Sequence, residues 1–259
     1  MIETWSQGPA DAGMPEALLV GLMETVRRHP WWRARASLAA ALLTKRGVLP
    51  PARVADIGCG WGTNLDLLEH RGYRVTGFDI SRRALELIDN ASRSLVEADL
   101  NQEFPSHSRA SYDACLVLDV IEHLDDDQGA LARIAGLLVP GGICIVSVPA
   151  LPQLFSDFDE LQGHRRRYLP ESLRAAFRDS GLQIESIFWW GFWMLPVLRL
   201  MRAKNGEGEG SELQSYAEYL RLPPWPGPQL MTLAYAIEKP LAPRGWLPKG
   251  TSLFAVARR

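Results

Sequence analysis

Cysteine is scarce in this 259-residue chain: Cys59, Cys115 and Cys144 stand far apart in apolar or glycine-rich settings. They offer neither a disulfide framework nor a metal-ligand spacing, and they indicate a reducing compartment. Net charge is nearly absent as well. Lys and Arg number 28 against 30 Asp and Glu, a formal charge of −2, which gives no field to gather a nucleic acid. The chain has no long apolar run. The aromatic stretch Ile187 to Leu198 holds 12 uncharged residues, short of the roughly 20 a spanning helix needs. It leaves peripheral contact with the inner face of a membrane open. Met1 to Gly13 is mixed and acidic, without a charged-then-apolar leader, so a cytoplasmic protein is expected. No internal repeat is found.

A hydrophobic content of 47% is enough for a substantial core. The chain is organised around Val54-Ala55-Asp56-Ile57-Gly58-Cys59-Gly60-Trp61-Gly62, a short apolar strand running into a glycine turn, after which Thr63 to Arg71 carries helical spacing. Strand, glycine turn and helix form a nucleotide cradle, because glycine admits a ligand close to the main chain and the helix start favours negative charge. A second strand, Gly72 to Asp79, ends in an acid about 20 positions on, where nucleotide folds place a ribose-binding carboxylate. Ser94 to Ala98 is a third strand, closed by Asp99, and the near-continuous apolar run Tyr112 to Leu118 reads as a central strand buried on both faces. Asp125-Asp126-Asp127 caps the helix Gln128 to Leu138, and after the turn Pro140-Gly141-Gly142 comes a fifth strand, Ile143 to Val148. This alternation predicts an α/β fold with a doubly wound parallel sheet and its ligand at the carboxyl ends of the strands.

Flanking segments are less regular. A loose start precedes one helix from Pro15 through Arg28 and a second following His29-Pro30-Trp31-Trp32-Arg33-Ala34-Arg35. Trp31 reads as filler, whereas Trp32 and Arg35 read equally well as filler or as cover for a ligand. The connection from Pro149 to Tyr168 is too long for an ordinary crossover and predicts a lid or substrate loop, carrying Asp157, Asp159, His164 and Arg165-Arg166-Arg167. A helix Pro170 to Ser180 and a sixth strand Leu182 to Phe188 follow. Beyond it, Trp189, Trp190, Phe192, Trp193 and Met194 form an aromatic patch beside Arg199, Arg202 and Lys204, suited to a helical cap, a dimer interface or a lipid-like acceptor. A flexible break over Ala203 to Gly210, helices at Ser211 to Leu222 and Gln229 to Glu238, and a last strand Thr251 to Ala257 complete the chain.

Asp56 to Gly62, Gly77-Phe78-Asp79, Glu97-Ala98-Asp99-Leu100, Asp119-Val120-Ile121-Glu122-His123-Leu124 and Leu138 to Gly142 resemble, in order and spacing, the motif series of class I S-adenosylmethionine-dependent methyltransferases. The resemblance implies a Rossmann-like seven-stranded sheet, order 3-2-1-4-5-7-6 with strand 7 antiparallel, over residues 51–190 and 250–259. N-terminal helices over 1–50 and an aromatic-rich helical insert over 191–249 complete that division. It implies S-adenosylmethionine held by Asp56, Gly58, Gly60, Asp79, Ile80, Asp99, Leu100 and Leu118, with Trp32 and Arg35 from the N-terminal segment. Asp79 would take the ribose hydroxyls and Asp99 the adenine amino group.

His123 and His164 are the candidate catalytic residues, each balanced against a plain structural role. His29 to Arg35 and Gly163 to Tyr168 are similar to a bacterial subgroup of these enzymes that places a histidine before the loop acid; Phe158 stands there in this chain, and no metal is expected. The acceptor is then a small-molecule or lipid-like compound methylated on O or N. Two other readings stay open: an NAD(P)-dependent oxidoreductase, whose fingerprint wants glycine where Thr63 stands, and a catalytically silent binding subunit. Oligomeric state is not legible.

Overall fold

A computed structural model describes residues 2–6, 15–88, 93–198 and 220–259. The apolar segments form one eight-stranded sheet, ordered β1-β4-β3-β2-β5-β6-β8-β7. Its strands are β1 (Ile2–Thr4), β2 (Arg53–Ile57), β3 (Arg74–Asp79), β4 (Ser94–Glu97), β5 (Tyr112–Leu118), β6 (Leu138–Pro149), β7 (Gln183–Trp190) and β8 (Ser252–Arg258). β2 to β6 are parallel, and β8 lies antiparallel between β6 and β7. The expected order of seven is therefore present as β2 to β8.

The eighth strand corrects the expected loose start. β1 pairs in parallel with β4 at the sheet edge. It holds there because the Trp5 N–H donates to the Glu97 carbonyl at 2.8 Å and the Trp5 indole meets Phe78 edge-on, ring centroids 5.2 Å apart. A second correction concerns Pro15 to Arg28. That segment is two helices, α1 (Glu16–Gly21) and α2 (Met23–Arg28), broken at Leu22. A third is the expected turn at Pro140 to Gly142, which β6 absorbs. Its pairing to β5 steps from Tyr112 with Leu138 to Ala114 with Ile143, and Gly141 takes a positive φ of 80° within the irregularity.

Helix α3 (Pro30–Lys45) starts where two signals coincide: Pro30 opens the first turn, and the His29 ring accepts the Trp31 N–H at 3.2 Å. α4 (Thr63–His70), α5 (Arg82–Ile88) and α6 (Asp127–Leu137) are the crossovers, the last capped by the Asp126 carboxylate on the Gly129 N–H at 2.9 Å. Ile134 and Leu131 of α6 pack on one sheet face with Val117 and Val146. On the other face Leu38 and Leu42 of α3 and Leu68 of α4 pack with Leu116, Ile145 and Phe254. β5 is buried from Ala114 through Leu118, as a central strand requires.

The long connection after β6 contains α7 (Asp157–Leu161) and leads into α8 (Pro170–Ala176). The aromatic patch is partly internal, with Trp189, Trp193 and Met194 half-buried and Phe192 exposed. Trp190 is buried and stacks on Tyr235 of α9 (Gly227–Leu241), with ring centroids 5.1 Å apart, and the buried Glu238 of α9 accepts the Gly191 N–H at 2.6 Å. Arg199, Arg202, Lys204, the break at 203–210 and most of the helix expected at 211–222 lie outside the described residues. No helix among the described residues is long and apolar enough to cross a membrane.

Burial lowers the His29 pKa from 6.5 to about 4. Above pH 6.5 the ring is neutral folded or unfolded; between 6.5 and 4 only the unfolded chain takes the proton, so stability falls as pH falls through that window. The shift corresponds to at most about 3 kcal/mol. Asn is a good N-cap that does not titrate. His29→Asn is therefore expected to lose less stability than the wild type between pH 7 and pH 4.5 in chemical denaturation, and equal losses would refute this assignment.

Candidate active site

β2, β3, β4 and β5 are adjacent and parallel, so their carboxyl ends share one edge of the sheet, and a cavity of about 720 Å³ opens there. The glycine turn after β2 forms its floor. Gly58, Gly60 and Gly62 all have positive φ, a conformation costly for other residues. A Cβ at Gly58 would lie 2.5 Å from Val120 Cγ2, so only glycine lets the main chain pass between Val120 and the cavity. The turn is tied sideways to β3: the Cys59 N–H donates to the Phe78 carbonyl and the Gly60 N–H to Asp79 Oδ2, both at 2.8 Å.

Asp79 and Asp99 stand in the wall of this cavity. The Ser81 N–H donates to Asp79 Oδ1 at 2.9 Å, so each Asp79 oxygen holds a backbone donor, and the Ile80 N–H adds a third to the carboxylate. Burial raises the Asp79 pKa, opposed by those N–H groups. Asp99 closes a local turn, accepting from the Asn101 N–H at 2.8 Å on Oδ1 and from Gln102 Nε2 at a long 3.3 Å on Oδ2. Asp56 lies one layer behind. It is fully buried, accepts from Asn64 Nδ2 at 2.9 Å, and burial raises its pKa to about 7. Asn64 is the cavity-facing member of that pair.

Also in the cavity wall, His123 belongs to the single 3-10 turn Ile121–His123 after β5, and His164 to the loop after α7. Their rings meet edge to face, centroids 4.8 Å apart. Burial, and then the neighbouring His164, lower the His123 pKa to about 4. His164 Nδ1 lies 3.1 Å from Asp159 Oδ1, which also accepts from Arg167 Nε at 2.7 Å. The arginine run is engaged in contacts within the fold. Arg165 donates to the His123 carbonyl at 2.8 Å and to Asp125 at 2.7 Å, Arg166 to the Leu124 carbonyl at 3.1 Å, and Arg167 to the Ala150 carbonyl at 3.1 Å. Together they pin the loop over the end of β5.

The structure brings Gly58, Gly60, Asp79, Ile80, Asp99, Leu100, Leu118, Trp32, Arg35, His123 and His164 into the wall of this one cavity, with Asp56 behind it. Sequence reasoning did not place Trp31, Trp61, Asn64, Asp119, Phe158 or Arg167 there, yet all six line it. Trp31 is more than filler: its ring carries the Arg35 guanidinium at 4.7 Å, and Arg35 is in turn ion-paired with Asp119. The indoles gave one usable signal, since adjacent tryptophans cannot both turn to the core of a single helix. The Asp119 signal was its place just after β5, where its φ of 58° is also unusual for a residue other than glycine.

This fold, with a glycine turn and acids at successive strand tips, is that of a class I S-adenosylmethionine-dependent methyltransferase, a class of enzymes that takes S-adenosylmethionine as cofactor. The sequence profile of the methyltransferase domain family matches residues 31–187, more than half of the chain, and the protein belongs to that family. Curated relatives include the ubiquinone biosynthesis O-methyltransferases of Alkalilimnicola ehrlichii, 34% identical over 106 residues (39% of this chain and 43% of that one), and of Saccharophagus degradans, 30% identical over 113 residues (40% and 47%). The matched segment thus spans about half the length of these relatives. Among solved structures, the [4+2]-cyclase SpnF aligns with a TM-score of 0.63 at 17% identity, covering 98% of this chain and 99% of that one. The Burkholderia thailandensis 1,6-didemethyltoxoflavin-N1-methyltransferase, bound to that compound and S-adenosylhomocysteine, aligns with a TM-score of 0.53 at 19% identity (98% and 93%). At these identities the structural likeness carries the fold alone.

Gly58→Ala is expected to cost about 1–3 kcal/mol of stability, from the left-handed backbone and the Val120 clash, and to weaken S-adenosylhomocysteine binding at least about tenfold. Thermal denaturation and calorimetry check the two parts separately; unchanged affinity would show that the turn is not the cofactor floor.

Proposed function

We propose that the protein methylates a hydroxyl group of a small, largely apolar acceptor. The observation that carries this reading is the mixed lining of a single cavity. The glycine turn with Asp79 and Asp99, the apolar Trp193, Met194, Val197 and Leu220, and the imidazoles of His123 and His164 all line it. The curated relatives are O-methyltransferases by name, which favours oxygen over nitrogen as the accepting atom.

The residues fit the cofactor. The Asp79 carboxylate keeps acceptor capacity beyond its three backbone donors, which suits a ribose hydroxyl. Asp99 Oδ2 suits an adenine amino group, with the Leu100 N–H beside it. Gly58 and Gly60 let the main chain lie against the methionine portion, Ile80, Leu118 and Trp32 supply apolar walls, and Asp56 orders the turn through Asn64 without touching the ligand. The bound cofactor supplies an electrophilic sulfonium methyl group, so the protein's task is alignment, which can contribute about 7–11 kcal/mol to barrier lowering. Arg35, held between Trp31 and Asp119, closes the cavity toward α3. The apolar part of the lining excludes water from the reacting hydroxyl, and the imidazoles of His123 and His164 are placed to handle its oxygen.

One further observation favours a membrane-borne acceptor. Leu230, Leu233 and Ile237 of α9 are each more than half exposed, as are Trp225 and Trp246, while Met231 of the same helix lines the cavity. A helix that meets lipid on one side and the cavity on the other gives a lipid-like acceptor a short path. Vesicle flotation of the purified protein is expected to show binding that Leu233→Glu weakens; an absence of wild-type binding would remove the membrane reading and leave a soluble acceptor.

Calorimetry with S-adenosylhomocysteine and NAD tests the cofactor assignment. The first is expected to bind in the micromolar range and to lose at least about 1.5 kcal/mol (roughly tenfold) with Asp79→Ala, and NAD is expected not to bind. Comparing extracts of cells with and without the protein for a methyl-sized mass shift identifies the acceptor, and methylation confined to nitrogen would overturn the hydroxyl reading.

A further inference from the structure

Three carboxylates surround the His123–His164 pair, and two of them have a cation of their own. Asp119 is ion-paired with Arg35, and Asp159 with Arg167. Among the described residues Glu122 has no arginine or lysine within ion-pair distance, Arg35 and Arg167 acting on it only from further off. It is wholly buried, and among the same residues neither carboxylate oxygen has a hydrogen-bond partner beyond the residue's own backbone. A carboxyl group in that position stays protonated or waits for a cation.

The surrounding nitrogen atoms are arranged for the second outcome. The His123 ring bonds the Gly163 carbonyl while Nδ1 is left without a partner, so Nδ1 carries the free lone pair. His164 is oriented by Asp159 at Nδ1, which turns Nε2 toward Glu122 Oε1, 3.8 Å away. A histidine fixed through one nitrogen by a carboxylate, with the other nitrogen free, is the usual support of a metal ligand. One donor atom from each of Glu122, His123 and His164 lies within 4.8 Å of the others. Ligands about 2.1 Å from a tetrahedral ion stand roughly 3.4 Å apart, so small side-chain rotations close the site.

We propose that Glu122, His123 and His164 bind one divalent first-row cation, with its open positions facing the cavity. Two imidazoles and one carboxylate suit zinc, cobalt, manganese or iron rather than calcium or magnesium. The role in the reaction rests on the acceptor reading above, whereas the binding of the metal does not. A coordinated acceptor hydroxyl would form an oxygen–metal bond and release its proton to water, leaving a more nucleophilic oxygen.

The test uses the full chain, stripped with a chelator and titrated with Co²⁺, followed by visible absorption, and with Zn²⁺ in competition. One saturating equivalent of Co²⁺ is expected, displaced by Zn²⁺. Glu122→Gln and His164→Asn are each expected to weaken it at least about tenfold, and Asp159→Asn by a similar factor through loss of orientation. S-adenosylhomocysteine affinity, measured on the same samples, is expected to stay within about threefold, so a metal failure and a cofactor failure are read separately. Absence of saturable Co²⁺ and Zn²⁺ binding in the wild type, or binding unchanged in folded His164→Asn, overturns the proposal. Should Glu122→Gln not fold, His164→Asn, placed on a loop, gives the decision.

Discussion

Everything at this site follows from one topological constraint: the adjacent parallel strands β2 and β5 send the chain to opposite faces of the sheet. After β2 it turns into α4, which packs with α3, and after β5 into α6 on the other face. A crevice has to open where two neighbouring connections diverge. Parallel pairing keeps every strand tip on the same edge, so Asp79, Asp99 and Asp119, remote in sequence, are delivered to one wall without any of them choosing it. The glycine turn could not form the floor by itself. It is held by donating to the end of β3, so the Asp79 carboxylate is at once a clamp on the turn and a face of the cavity.

Charge at the crevice is handled pair by pair. Buried acids are costly, and the chain meets the cost with arginines from distant segments: Arg35 of α3 for Asp119, Arg167 of the long loop for Asp159. Each pairing also fixes a piece of architecture. The first docks the N-terminal helix on the sheet with Trp31 against its guanidinium, and the second sets the orientation of His164. Asp56 is treated differently. It has only an amide donor, and burial raises its pKa to about 7, which fits a carboxyl group that orders a turn rather than one that must stay charged against a ligand.

The parts of this structure that were legible in sequence are those where local pattern and tertiary demand agree. A near-continuous apolar run can only be a doubly covered strand, and an acid after such a run can only sit at a strand tip. The failures mark where distant contacts decide. Ile2 to Thr4 has no alternation worth reading and becomes a strand because Trp5 finds Phe78 and the edge of β4. Three consecutive arginines look like solvent-facing charge until the fold supplies carbonyls at His123, Leu124 and Ala150 for them. Asp56 belongs to the motif by spacing, but its side chain points behind the turn, a direction that spacing does not encode.

The histidines show why a site can be absent from the sequence even when each of its members is visible. His123 belongs to the β5 tip and His164 to a loop whose path depends on the arginine contacts, so nothing in their separation signals that the rings meet. Glu122 is harder still, since a glutamate in a turn is ordinarily exposed, and only the fold removes it from water. Once it is enclosed with two lone-pair nitrogens nearby and both neighbouring acids already paired, the charge balance of the crevice is incomplete by one cation. A protein interior can resolve that by protonating the carboxyl group, which would then donate toward the His164 Nε2 lone pair 3.8 Å away, but the His123 Nδ1 lone pair would still lack a partner among the described residues. The cation proposed above would meet all three donors at once, and the Asp159 contact that orients His164 then acts on metal affinity.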